Sequence, residues 1–272
     1  MIKDETFLLN NNFGIPKIGF GTWQISDIDA ENAVFCALKS GYLHIDTAID
    51  YGNEVGVGKG IKKSGIDREK IFVTSKIPAH IKTYKEAKRC INESLTRLDL
   101  EYVDLMLIHS PRPWELLWDE KAPRYYKENL EVYKALEEAY DEGKIKSIGL
   151  SNFLIDDVKN ILNNVRIKPV VNQICVYIGN TPFELIEFCN NNNILVEAYS
   201  PIATGRLLNN KKIKEIADKY GVSTPNLCIR YCLEINTLPL PKSNNEEHIK
   251  NNLNVDFSIS KEDMEYLLTY KQ

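Results

Sequence analysis

Eight short apolar runs recur along the chain, each followed by an amphipathic stretch, and this alternation constrains the fold more than any other property of the sequence. The runs end at Thr22, Asp46, Lys76, His109, Asn152, Gln173, Ser200 and Lys242. Between them, apolar positions at helical spacing predict helices that include Ala30 to Lys39, Glu54 to Lys63, Thr83 to Leu98, Lys127 to Glu142, Ile155 to Leu162, Pro182 to Asn190 and Asn226 to Leu233. A strand, a helix and a further strand in this order imply parallel pairing through right-handed crossovers. Eight such units fit a closed (β/α)8 TIM barrel better than a doubly wound sheet, because closure leaves no edge strand to protect. The preceding piece, Phe7 to Ile15, predicts a β-hairpin that caps one end. With no linker, repeat or low-complexity tract, residues 1–272 are expected to form a single domain.

Composition removes other classes of function. The chain has 272 residues, 43% of them hydrophobic, which is enough for a sizeable core, and no stretch approaches the ~20 apolar residues of a membrane span. A formal net charge of -4 gives no basic stripe for a polyanion, so no nucleic-acid partner is expected. The start, Met1 to Glu5, carries no signal-peptide pattern, and the six cysteines lie mostly inside apolar patterns. A cytoplasmic protein with free thiols is the expectation. Cys228 and Cys232 stand four apart on a predicted helix without histidine or further cysteine nearby, so they are assigned to packing and no metal site is expected.

Polar residues that directly follow apolar runs carry the chemistry. Asp46, Lys76 and His109 end the second, third and fourth runs. In a (β/α)8 barrel these positions lie at the C-terminal face, where such enzymes place their reactive groups, so a carboxylate, an ammonium and an imidazole converge. Tyr51, five residues past Asp46, is able to fold back into the same space. Alone, each has an ordinary explanation as a cap, a solvated lysine or a turn histidine. Together at three adjacent strand ends they read as a site, because a buried charged pair is costly.

The motifs Gly19-Phe-Gly-Thr-Trp23, Asp46-Thr-Ala-Ile-Asp-Tyr51-Gly-Asn-Glu, Ser75-Lys76, Leu107-Ile-His109, Gly149-Leu-Ser-Asn-Phe153, Asn172-Gln173, Ala198-Tyr-Ser-Pro201 and Leu240-Pro-Lys-Ser243 occur in this order. In them the chain resembles the aldo-keto reductase family over nearly its whole length, and within it the small bacterial and fungal-type carbonyl reductases. The resemblance implies reduction of an aldehyde or ketone with NADPH by a monomeric enzyme. Hydride delivery leaves an alkoxide, so the site needs a proton donor that is neutral at rest. Tyrosine, with a pKa of ~10, needs help. Lys76 beside the phenol favours phenolate, Asp46 holds the ammonium, and His109 offers a hydrogen bond to the carbonyl oxygen. The resemblance gives these four residues the same roles, with Tyr51 as the acid.

No Gly-x-Gly-x-x-Gly opens a first helix; Gly52 to Gly58 comes nearest, and its glycines are assigned to the start of a helix. The resemblance instead implies a cofactor lying across the barrel mouth. It would contact Gly21, Thr22, Asp46, Ser151, Asn152 and Gln173, with the nicotinamide stacked on Tyr199 and the pyrophosphate wrapped by Ser200, Pro201 and Ile202. Lys242, Ser243, Asn244, His248 and Asn252 would take the adenosine end. Ser243 and Glu246 also fit a helix capping box. The family usually has arginine where this chain has His248, which leaves NADH possible beside NADPH, since histidine cannot make the planar fork of arginine.

Substrate contacts are expected from Trp23, Tyr51, His109 and Trp114. The long segment after His109 carries Trp114, Trp118, Tyr125 and Tyr126, whose rings could wall the substrate or pack the loop down. Sequence Ile174-Cys-Val-Tyr-Ile178 replaces the family's usual segment after Asn-Gln, and Ser110 stands where many relatives have tryptophan. The chain stops after a final helical pattern, Lys261 to Tyr270, so one wall of the pocket is expected to be open. A small aldehyde, α-keto aldehyde or keto-sugar suits such a site. Two other readings are a nucleotide-binding barrel with a sensing or structural role and little turnover, and a phosphate-binding barrel isomerase or lyase. Neither has need of a phenol beside Lys76.

Overall fold

A computed structural model describes residues 1–271. Two strands, β1 (Thr6–Leu8) and β2 (Gly14–Pro16), pair antiparallel as the expected hairpin. Eight more, β3 (Phe20–Gly21), β4 (His44–Asp46), β5 (Phe72–Ile77), β6 (Leu105–Ile108), β7 (Ile148–Ser151), β8 (Val171–Cys175), β9 (Leu195–Tyr199) and β10 (Leu238–Leu240), lie side by side in chain order, all parallel. Backbone bonds from Gly19 N to the Pro239 oxygen (3.1 Å) and from Gly21 N to the Pro241 oxygen (3.0 Å) join the first of these to the last, closing the barrel.

The hairpin seals the bottom. Ile15 and Leu9 pack with Phe72, Leu105, Leu107, Val171, Leu238 and Leu240 in a cluster inside the lower barrel. In the turn, Asn10 Nδ2 donates to the Pro169 and Asn193 oxygens, and Asn11 Nδ2 to the Lys146 oxygen, so it grips the chain just before β7, β8 and β9. These bonds satisfy carbonyls at strand starts that the barrel itself leaves unpaired. The barrel mouth opposite is therefore the free end.

The helices follow the sequence closely because their apolar stripes are clear. They are α1 (Asp27–Ser40), α2 (Glu54–Ser64), α3 (Tyr84–Leu98), α4 (Tyr126–Asp141), α5 (Ile155–Asn164), α6 (Phe183–Asn191), α7 (Lys211–Lys219), α8 (Thr224–Glu234), α9 (Glu246–Asn251) and α10 (Lys261–Thr269). Helix α7, which falls outside the helices named from periodicity, buries only Ile213, Ile216 and Ala217. A larger second core between helices and strands holds the shell to the barrel.

The glycines of α2 have a purpose different from helix initiation. A Cβ at Gly56 would come 2.0 Å from the Asp27 oxygen and one at Gly58 2.1 Å from the Leu98 oxygen, so both let α2 touch the backbones of its neighbours. Only glycine permits that approach. The Ser243–Glu246 capping box is not formed: Asn245 is the N-cap of α9, its side chain accepting from His248 N at 3.0 Å, and Ser243 Oγ accepts from Asn245 N instead. The helix starts two residues later than expected because Asn245 at the cap satisfies the same kind of orphan donor.

Candidate active site

Strand register brings the polar strand ends together. Asp46 stands opposite Thr74, and Lys76, two residues further along β5, points the same way into the barrel mouth. Lys76 Nζ donates to Asp46 Oδ1 at 2.7 Å, to the Thr47 oxygen at 2.8 Å and to Tyr51 Oη at 3.2 Å. All three donors of the ammonium are used. Tyr51 ends a 3-10 turn, Ile49–Tyr51, which is stopped by left-handed Gly52. Asn53 fixes this turn: its Oδ1 accepts from Thr47 Oγ1, and its Nδ2 donates to the Thr22 and Ile25 oxygens. His109 lies just past β6, its ring edge-on to Tyr51 at 5.6 Å and to Trp114 at 4.9 Å between centroids. The four residues expected to converge do so.

Burial sets the protonation of these groups. It opposes the charge on Lys76, but Asp46 and then Tyr51 outweigh it and hold the ammonium above its usual range. For Tyr51 burial is the largest influence and raises the phenol; Lys76 acts the other way without reversing it. The resting phenol is thus harder to ionise than free tyrosine, whereas the lysine alone had suggested the opposite balance. Burial lowers His109, leaving a neutral imidazole, and its Nδ1 has no hydrogen-bond partner.

On the other side of the mouth the expected cofactor residues are bonded to one another. Gln173 Nε2 gives one proton to Asp46 Oδ2 (2.8 Å) and the other to Glu197 Oε2 (2.7 Å), which leaves its oxygen as an acceptor. Asn152 Nδ2 donates to the His109 oxygen and Ser151 Oγ, while its Oδ1 accepts from Tyr199 Oη at 2.9 Å. Ser151 Oγ donates to the Gln173 oxygen. What remains is a set of acceptors beside a fixed tyrosine ring. Positive φ at Asn152, Ser200, Ala203 and Thr204 turns the backbone sharply along this rim. Pro201 is buried and Ile202 half-buried there. Thr22 Oγ1 donates to the Asp46 oxygen, and Gly21 lies close to the Leu240 oxygen, so both belong to the barrel wall. Lys242 reaches Asn244 at 3.5 Å; His248 is exposed and Asn252 buried.

Two of the three tryptophans are parted by the structure. Trp114 packs edge-on to His109 yet is 43% exposed, much as Trp23 is at 46%, while Trp118, 78% exposed, points to solvent. Three residues escaped the sequence reading. Asn53 is masked by its position after a glycine, and Glu197 is a charge inside an apolar strand, which is the signal that could have found it. Asp50 adjoins Tyr51: its Oδ2 lies 3.4 Å from Trp114 Nε1 and 3.5 Å from His109 Nδ1. Burial opposes its ionisation, yet His109, and then the indole, outweigh that and hold its carboxyl below the usual range.

Comparison with known proteins agrees with this geometry. The sequence model of the Aldo/keto reductase family matches residues 17–269. The glyoxal reductase of Bacillus subtilis is 38% identical, with 96% of this chain and 91% of that protein aligned. The glycerol 2-dehydrogenase (NADP(+)) of Saccharomyces cerevisiae is 37% identical, covering 97% of this chain and 90% of its own length. Among solved structures, an aldo-keto reductase enzyme from a deep-sea metagenome superposes with a TM-score of 0.90 at 39% identity, covering 98% of this chain and 95% of that one. The Bombyx mori aldo-keto reductase in complex with NADP superposes at 0.86 with 30% identity, covering 96% and 91%. A family match spanning nearly all of a closed eight-stranded barrel leaves one assignment: the chain belongs to the aldo/keto reductase family of oxidoreductase enzymes.

Proposed function

We propose that this enzyme reduces an aldehyde or ketone to its alcohol with NADPH, Tyr51 acting as the general acid. The observation that carries the reading is the chain Asp46–Lys76–Tyr51, a buried ion pair with a neutral phenol at its open end. A bound reduced nicotinamide supplies the hydride. Tyr51 Oη gives its proton to the carbonyl oxygen, and Lys76, 3.2 Å away, stabilises the phenolate left behind. Asp46 keeps the ammonium in place. His109, neutral through burial, hydrogen-bonds the carbonyl oxygen and fixes its approach.

The donor and acceptor pattern at the mouth fits the cofactor. Gln173 and Asn152 each spend both amide protons within the protein, which leaves the Gln173 oxygen, and the second lone pair of Asn152 Oδ1 beside the Tyr199 hydroxyl, as acceptors suited to the N–H groups of a nicotinamide carboxamide. Tyr199, its hydroxyl tied to Asn152, offers a fixed face for stacking. Ser151 steadies this set. Ser200, Pro201 and Ile202 would border the pyrophosphate, and Gly21, Thr22, Ser243, Asn244 and Asn252 the remainder. Lys242 is the permanent charge for a 2′-phosphate; His248 in place of arginine softens the preference and keeps NADH possible. Trp114 and Trp23 would supply apolar surface to the substrate. The relatives named for glyoxal and for glycerol point to small carbonyls. The reading is of one domain acting as a cytoplasmic monomer; among the described residues no helix is long and apolar enough to cross a membrane.

The test is NADPH and NADH oxidation against a panel of aldehydes and ketones, for the wild type and Tyr51→Phe. Turnover should fall at least ~10²-fold in the variant, the usual cost of a lost general acid, with NADPH affinity retained. Near wild-type turnover in Tyr51→Phe would remove Tyr51 from the role.

A further inference from the structure

Asp50 is a charge beside His109 that the proposed mechanism leaves unused. Its side chain is 27% exposed, and its Oδ2 lies within 3.5 Å of both His109 Nδ1 and Trp114 Nε1. Its neighbours do not neutralise it. His109 is a neutral imidazole, Trp114 contributes a single N–H, and Lys76 is already committed to Asp46, Thr47 and Tyr51. Among the described residues no lysine or arginine forms an ion pair with Asp50. Besides His109 and Trp114, only His80 acts on this carboxyl, and more weakly than either. Since Asp46 and Lys76 cancel, the field felt by a bound carbonyl compound is dominated by one negative charge.

We propose that Asp50 is a specificity-determining residue, a charge filter that favours neutral and cationic carbonyl substrates and turns away those bearing a carboxylate. The inference rests on the reductase reading above. A carboxylate-bearing substrate in this pocket meets a like charge several ångströms off, in a partly wet site between His109 and Trp114, and gains no lysine or arginine to offset it. The same oxygen that repels anions also holds the Trp114 indole, so the filter and the apolar wall form one unit.

The test compares kcat/KM for 4-carboxybenzaldehyde, 4-nitrobenzaldehyde and 4-(trimethylammonio)benzaldehyde at low salt, in the wild type, Asp50→Asn and Asp50→Lys. Using ratios between substrates cancels their intrinsic reactivities when variants are compared. NADPH binding, read by tryptophan fluorescence, checks that each variant is folded. Asp50→Asn should raise the carboxylate-to-nitro ratio about tenfold, the size of one unit-charge interaction across a partly wet site. Asp50→Lys should raise it further and lower the ratio for the trimethylammonio substrate, and added salt should shrink both shifts. Ratios within about twofold of wild type in both folded variants would overturn the filter while leaving the reductase reading intact. Failure of the wild type to turn over any of the three aldehydes would instead overturn the reductase reading, and the filter with it.

Discussion

At the mouth of the barrel Lys76 and Asp46 stand 2.7 Å apart and satisfy each other's charge, whereas two residues deeper on their strands His44 and Glu197 are equally buried and lack such a partner. Glu197 Oε1 and His44 Nδ1 have no hydrogen bond, and His44 Nε2 sits 3.9 Å from Glu197, beyond bonding reach. The two tiers therefore meet the cost of burial differently. The upper one keeps its charges and pairs them. In the lower one burial pushes Glu197 up to about 8, with Asp46 adding to the rise, and pushes His44 down to about 4, so both are neutral at pH 7. A buried pair retained at the mouth is poor evidence for stability alone and good evidence that charge is needed there.

The largest test of this contrast removes the upper ammonium. Lys76→Met strands Asp46 without its counter-charge, and urea unfolding should show a loss of about 3–5 kcal/mol. A loss below ~1 kcal/mol would make the pair no more than a surface bridge in effect. The lower tier should answer to pH. Glu197 has an ordinary value of 4.5 when unfolded and about 8 when folded, so across that interval the unfolded chain releases a proton that the fold retains. Stability falls as pH rises from 4.5 toward 8. Glu197→Gln keeps the shape and removes this cost. Its melting temperature relative to wild type should climb by several degrees between pH ~5 and ~8; a constant difference would mean that the carboxyl does not titrate there. The smallest effect belongs to Thr74→Val, which takes away the 3.0 Å partner of His44 Nε2. The expected loss is about 1–2 kcal/mol, equal at both pH values because the imidazole stays neutral. A loss that follows pH would point to a charged His44 instead.

The upper tier was open to sequence reading and the lower one was not, for a geometric reason. Asp46, Lys76 and His109 each stand at the boundary of an apolar run, where a change of residue type marks a strand end. Glu197 lies between Val196 and Ala198, and His44 between Leu43 and Ile45, where period-two alternation gives no way to tell a barrel interior from a helix-facing side. Asp50 is hidden for another reason: the 3-10 turn at Ile49–Tyr51 swings it beside Trp114, a residue 64 positions later in the chain. The order of strands was legible because their alternation with helices leaves few topologies; the glycines of α2 were not, since close approach between helices leaves no mark on periodicity.

Gln173 donates both to the Asp46 carboxylate and to the neutral carboxyl of Glu197, and these two hydrogen bonds make the candidate site and the barrel interior inseparable in design. Its one amide nitrogen is the link between Asp46 above and Glu197 below. A substitution at Gln173 would deprive two buried acids at once, and a graft of the mouth alone would arrive without the floor it is fastened to. In this protein the modular unit is the whole depth of the barrel from β4 to β9, not the ring of loops around its opening.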